Sequence, residues 1–201
     1  MSNRTTSGNA TSANVQSLYE AAIAASLRCE PDVALALLDE LLTLDPQHAG
    51  AHHLRGAEYA QAGDVEQALA EFSTSLALDP SQVVARFQLG LLLLVTKRQA
   101  DAIAIWEPLQ SLGERHPFNL FRLGTLQFTS GQFSDAHQTL TSLLTDVTLM
   151  PALQRDTRAM LGSIAKASAQ ATGNAEESLE VAATVSEQFV LDAYERMQRL
   201  H

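Results

Sequence analysis

Cysteine is almost absent. Cys29 stands alone among 201 residues, which excludes an internal disulfide and any zinc site built from several cysteines. β-Branched aliphatics are scarce as well, with Val and Ile together numbering 14, and aromatics number only 11. That scarcity argues against an all-β fold or a parallel α/β sheet. Long apolar runs are missing: stretches such as Leu91–Val95 are far short of the roughly 20 residues that span a bilayer as a helix. The first residues, Met1 to Asn14, are mostly small and polar, without the apolar stretch of a secretory signal. Basic residues are outnumbered 13 to 23, leaving a net charge of −10. Such a chain repels phosphate backbones. Neither nucleic acid nor membrane is an expected partner, and a soluble cytoplasmic protein is expected.

Alanine and leucine are what the chain has in plenty. Each occurs 31 times, and both lose little side-chain freedom in a helix. The length suits one domain, or one short repeat array, with a core of useful size.

An internal period organises the rest. Ala34, Ala68, Ala102 and Ala136 recur at one constant step along the chain. Gly56, Gly90 and Gly124 share that step, with Ala22 one step earlier. Leu38, Phe72, Trp106 and Leu140 form a third column, and Pro46 and Pro80 a short fourth. A fixed step over four units marks a stacked repeat. The unit reads as two helices. In the second copy, Gln47–Gln61 is the first helix, Ala62-Gly63-Asp64 the turn and Val65–Leu78 the second helix. Asp79-Pro80 then stops it, because proline lacks an amide proton and disfavours helix in the residue before it. Gly56 allows close helix approach, Ala68 offers a matching small surface, and Phe72 or Trp106 is expected to fill the space between units. One hairpin cannot bury its apolar face alone, so the units must stack.

These columns resemble the tetratricopeptide repeat family. The second copy carries the signature most fully, in Gly56, Tyr59, Gly63, Ala68, Phe72 and Pro80, although Arg55 directly precedes the glycine and Leu54 stands one place early. The third copy keeps Leu89, Gly90, Ala102 and Trp106, and the fourth Leu123, Gly124, Gly131 and Ala136. The first is weaker, with Ala22 for glycine and Cys29 in the turn. Copies three and four lack the closing proline, with Glu114 and Thr148 in its place. The resemblance implies an all-α fold: a right-handed superhelical array of about four helical hairpins, closed by a C-terminal hairpin. The expected divisions are a flexible tail over 1–13, repeats over 15–48, 49–82, 83–116 and 117–148, and a degenerate hairpin or cap over 149–201. Pro151–Gln170 reads as one helix of that cap, and Ala175–Leu200 as a second, with Val185, Phe189, Ala193, Met197 and Leu200 along one apolar stripe.

No glycine-rich phosphate loop, nucleophile elbow or metalloprotease motif is present in the sequence, so an enzyme is not expected, nor a cofactor. His48 and His52 share a helical face, but no third ligand joins them, so a metal site is not expected. Cys29 reads as an ordinary turn thiol, since no neighbour is evident that lowers its pKa.

The resemblance also implies that the first helix of each hairpin lines a concave groove. Taking the units from Val15, Ala49, Val83 and Pro117, the fifth places are Tyr19, His53, Phe87 and Phe121. The ninth are Ile23, Ala57, Leu91 and Thr125, and the twelfth include Leu94 and Phe128. Arg122 flanks this column. The expected groove is mostly apolar and lacks the fixed positive charge with which some members of the family clamp acidic tails. The acidity is concentrated early: residues 1–80 hold 11 acids and three bases. A protein or peptide partner with an apolar or amphipathic segment is therefore expected, held by a non-catalytic adaptor or scaffold. Two other readings stay open: a small acidic secretion-type chaperone for apolar segments, and a homo-oligomeric module in which the C-terminal helix fills the groove.

Overall fold

The computed structural model describes residues 4–146, 149 and 151–170. The described residues contain helices and no strand. In order they are α1 (Arg4–Leu27), α2 (Pro31–Leu44), α3 (Ala49–Ala62), α4 (Val65–Leu78), α5 (Val83–Val95), α6 (Gln99–Trp106), a 3-10 helix (Glu107–Leu112), α7 (Pro117–Thr129), α8 (Phe133–Leu143) and α9 (Pro151–Gln170). The turn at 172–174 and the expected helix Ala175–Leu200 lie outside the described residues. None of the helices is long and apolar enough to cross a membrane.

Each hairpin turn is made by the same local device. Cys29, Gly63, Lys97 and Gly131, which follow one another at the repeat step, all have positive φ. The left-handed residue lets the next amide reach back over the helix end. Glu30, Asp64, Arg98 and Gln132 accordingly donate to the carbonyls of Ala25, Tyr59, Leu93 and Gln127. These bonds satisfy carbonyls that a helix end would otherwise orphan. The following helix then starts under local control. Pro31 and Pro117 occupy first-turn positions of α2 and α7, where a missing amide proton costs nothing. The Asp64 carboxylate accepts from Gln67 N at 3.2 Å, and the His48 Nδ1 accepts from Ala51 N at 2.9 Å. That imidazole cap sets the start of α3 at Ala49, later than the sequence pattern suggests.

Two elements differ from expectation. α1 begins at Arg4, inside the stretch expected as a tail. The second helix of the third hairpin stops at Trp106 and continues as a 3-10 turn, because Pro108 cannot donate the next helical hydrogen bond.

The chain folds as two compact units that divide within α5, between Leu89 and Gly90. In the first, Val15, Leu18, Ala22, Leu38, Leu41, Leu42 and Ala51 form a buried cluster from α1, α2 and α3. Gly56 lies against Phe72, so a Cβ added there would meet the ring at 2.9 Å. In the second unit, Gly90 lies against the Trp106 indole and Gly124 against Leu140 in the same way. The aromatic column thus packs first against the glycine of its own hairpin, rather than only filling the gap between hairpins. The glycine is needed because these rings leave no room for a methyl group.

Candidate peptide-binding surfaces

In the first unit the fifth-place residues join neighbouring helices. Tyr19 on α1 is half-buried, its ring centroid 4.7 Å from that of His48. Burial raises its phenol pKa above the ordinary value. His53 on α3 is also half-buried; its Nε2 pairs with Gln88 Oε1 at 2.6 Å and its ring lies 5.8 Å from Phe72. Ala57 is half-buried. Ile23 is 37% exposed, and Leu27, one turn further along α1, is 80% exposed. Phe87 is different, at only 5% exposed.

In the second unit, Leu91, Leu94 and Arg122 are half-buried, whereas Phe121 and Phe128 are wholly buried and Thr125 nearly so. Thr125 Oγ1 donates to Phe121 O at 2.8 Å and lies 3.5 Å from Met160 Sδ on α9. The Arg122 guanidinium is held by Asn119, whose Oδ1 accepts from Nε at 3.1 Å and Nη2 at 3.0 Å. Asn119 is itself anchored by donating to Gly113 O at 2.9 Å. Partial burial lowers the Arg122 pKa.

Four expected groove residues are therefore interior residues: Phe87, Phe121, Thr125 and Phe128. Periodicity locates an apolar face only to within about one residue, or 100° of rotation. Burying a phenylalanine stabilises by about 1.5–3 kcal/mol, so the large rings turn into the packed side. For Thr125, the covering element is α9.

The family models agree with this hairpin geometry. Residues 19–83 and 53–107 match the tetratricopeptide repeat model. Residues 19–107 thus carry tetratricopeptide repeats. Among curated relatives, the FK506-binding protein-like protein of Mus musculus is 34% identical over 74 residues, covering 37% of this chain and 21% of that protein. The chain thus spans about a fifth of the length of the curated relative it matches. Among solved structures, YrrB, described as a TPR protein with an unusual peptide-binding site, has a TM-score of 0.55 at 20% identity. That match covers 87% of this chain and 88% of YrrB. The MamA protein has a TM-score of 0.58 at 14% identity, covering 94% of this chain and 96% of MamA. At those identities the structural likeness shows the fold alone.

Against the tetratricopeptide pattern, the second repeat carries polar residues that the columns did not reveal as a group. Arg55 Nη1 donates to Asp39 Oδ1 at 2.8 Å, and Nη2 to Glu71 Oε1 at 2.7 Å. Burial works against the Arg55 charge, but the bonds from Glu71 and Asp39 outweigh it and raise the pKa. Glu71 Oε2 lies 2.7 Å from His52 Nδ1, and His52 Nε2 lies 3.1 Å from Pro46 O. Both ring nitrogens face oxygen acceptors, so both contacts are hydrogen bonds together only when the ring carries two protons. The chain of charges borders an open cleft of ≈ 460 Å³ lined by Asp39, Leu42, Thr43, Pro46, His52 and Arg55. His48 is thus occupied as a helix cap, and His52 by its contacts with Glu71 and Pro46. The one signal for this group in the sequence was Arg55, standing directly before Gly56 where the pattern has leucine. Leu27 was also missed; it stands one helical turn after Ile23, on the same face.

Proposed function

We propose that the chain is a non-catalytic adaptor that holds an apolar or amphipathic segment of a partner protein on the first helices of its repeats. In the first unit the contacts come from Tyr19, Ile23, His53 and Ala57, with Leu27 added. In the second they come from Leu91, Leu94 and Arg122. The observation that carries this reading is the exposure of Leu27 at 80% and Ile23 at 37% on one face of α1. Aliphatic side chains one turn apart and open to water gain free energy when a partner covers them, at about 25 cal/mol per Å². Membership of a repeat family whose hairpins stack into binding surfaces supports the same reading.

A photo-crosslinking amino acid placed at position 23 or 27 tests it. A discrete partner protein should be captured from both sites and not from position 103, an exposed isoleucine on α6. Equal labelling from all three positions would mean that the α1 face has no special role.

A further inference from the structure

The apolar face of α1 is set in a strongly acidic unit, and that charge says what chemistry its partner carries. This inference rests on the α1 reading above and names the class of segment bound.

Tyr19, Ile23 and Leu27 follow one another turn by turn along α1, so they form a stripe about 12 Å long. The stripe runs from a half-buried phenol ring to a leucine that is 80% exposed. Two turns of a partner helix, presenting apolar anchors on one face, match that length.

Across this unit, charge of one sign dominates. Residues 4–89 contain eleven acidic and four basic side chains. Of the four bases, Arg28 is paired with Glu30 at 2.8 Å, and Arg55 is paired with both Asp39 and Glu71. Glu20 is exposed beside the stripe, and its carboxylate is met by the neutral Gln16 amide at 2.7 Å rather than by a cation. Asp32, in the first turn of α2, is exposed as well. A partner bearing acids around its apolar anchors would meet like charge here. A partner bearing lysine or arginine would be steered in and held at the rim.

We infer that the Tyr19–Ile23–Leu27 stripe docks a basic amphipathic helix, with aliphatic anchors on one face and lysine or arginine flanking them.

Two synthetic helical peptides test this on the full chain. They share one leucine face and differ only in carrying lysine or glutamate at the flanking positions. In fluorescence anisotropy at about 20 mM salt, the lysine peptide should bind at least about tenfold tighter, and the margin should shrink at about 0.5 M salt as charges are screened. The double variant Ile23→Ser, Leu27→Ser leaves the net charge unchanged. It should weaken the lysine peptide about tenfold with unchanged helicity by circular dichroism. Glu20→Lys should weaken it several-fold through the rim.

Equal binding of the two peptides would overturn the inference. So would undiminished binding of the lysine peptide to the serine variant, since general attraction to an acidic protein would then suffice. Crosslinking of a partner at positions 23 and 27, together with preference for the glutamate peptide, would leave the adaptor reading standing and remove only the basic chemistry. Loss of both results would remove both.

Discussion

Glu71 and Arg55 are joined at 2.7 Å, and the other oxygen of the same carboxylate lies 2.7 Å from His52. Glu71 is only 9% exposed, and its carboxylate is shared between Arg55 and His52 on α3. Glu71→Ala leaves Arg55 with Asp39 as its remaining carboxylate partner and removes the oxygen that faces His52 Nδ1. A loss of about 1–3 kcal/mol is expected, since the half-buried Arg55 and the buried His52 each lose a hydrogen-bond partner. Chemical denaturation should show it as a lower midpoint at unchanged slope. The double variant Arg55→Leu, Glu71→Leu should recover part of the loss, because an apolar replacement removes both desolvation costs.

Glu58 shows the opposite case. It is 1% exposed and neither carboxyl oxygen has a hydrogen-bond partner. In the repeat register its column also holds Ala24, Leu92 and Leu126, and Leu92 is itself 2% exposed. A buried polar group without a partner costs about 1–3 kcal/mol. Glu58→Leu should therefore raise the thermal midpoint, by several degrees for a stabilisation of about 1–2 kcal/mol. A lowered midpoint would show that the carboxyl supports the fold.

Two helical glycines should respond to alanine with opposite signs. A methyl group at Gly90 would overlap the Trp106 indole, whereas at Gly162 it would meet nothing within 4 Å. Gly90→Ala should destabilise by at least about 1–3 kcal/mol, the cost of overpacking. Gly162→Ala should stabilise by up to about 1 kcal/mol, because alanine loses less backbone entropy in a helix. Parallel thermal melts of the two variants check the sign.

The hairpin turns offer a fourth measurement. Cys29 and Lys97 adopt φ of 58° and 60°, where the two other turns carry glycine. The left-handed conformation costs an L-residue about 1–2 kcal/mol. Cys29→Gly and Lys97→Gly should each stabilise by somewhat less than that, since glycine also gains entropy when unfolded. Gly63→Ala should destabilise. Hydrogen exchange at the Glu30 and Arg98 amides, which close these turns, should slow in the glycine variants.

Much of the hairpin architecture was legible from the sequence. The constant repeat step located the turns at positions 29, 63, 97 and 131, since each needs a residue that tolerates positive φ or is forced into it. α4 occupies the span that its boundary residues imply, and α9 starts at Pro151, because Asp64, Asp79-Pro80 and Pro151 act locally. The surface was less legible. Phe87, Phe121 and Phe128 share columns with half-buried residues such as Tyr19, His53 and Leu94, yet their rings are interior. Sequence spacing carries no information on which neighbouring helix covers a given face.

The sequence by itself determined the repeat and its turns, because each depends on residues within one hairpin. Tertiary structure decided which side of each first helix stays open. It turned Phe121, Thr125 and Phe128 inward and left Ile23 and Leu27 exposed to water. It also gathered Asp39, Arg55, Glu71 and His52 from three helices into one chain of charges. Those outcomes depend on packing between elements distant in sequence, where burial of large rings and pairing of buried charges outweigh the pattern of any single helix.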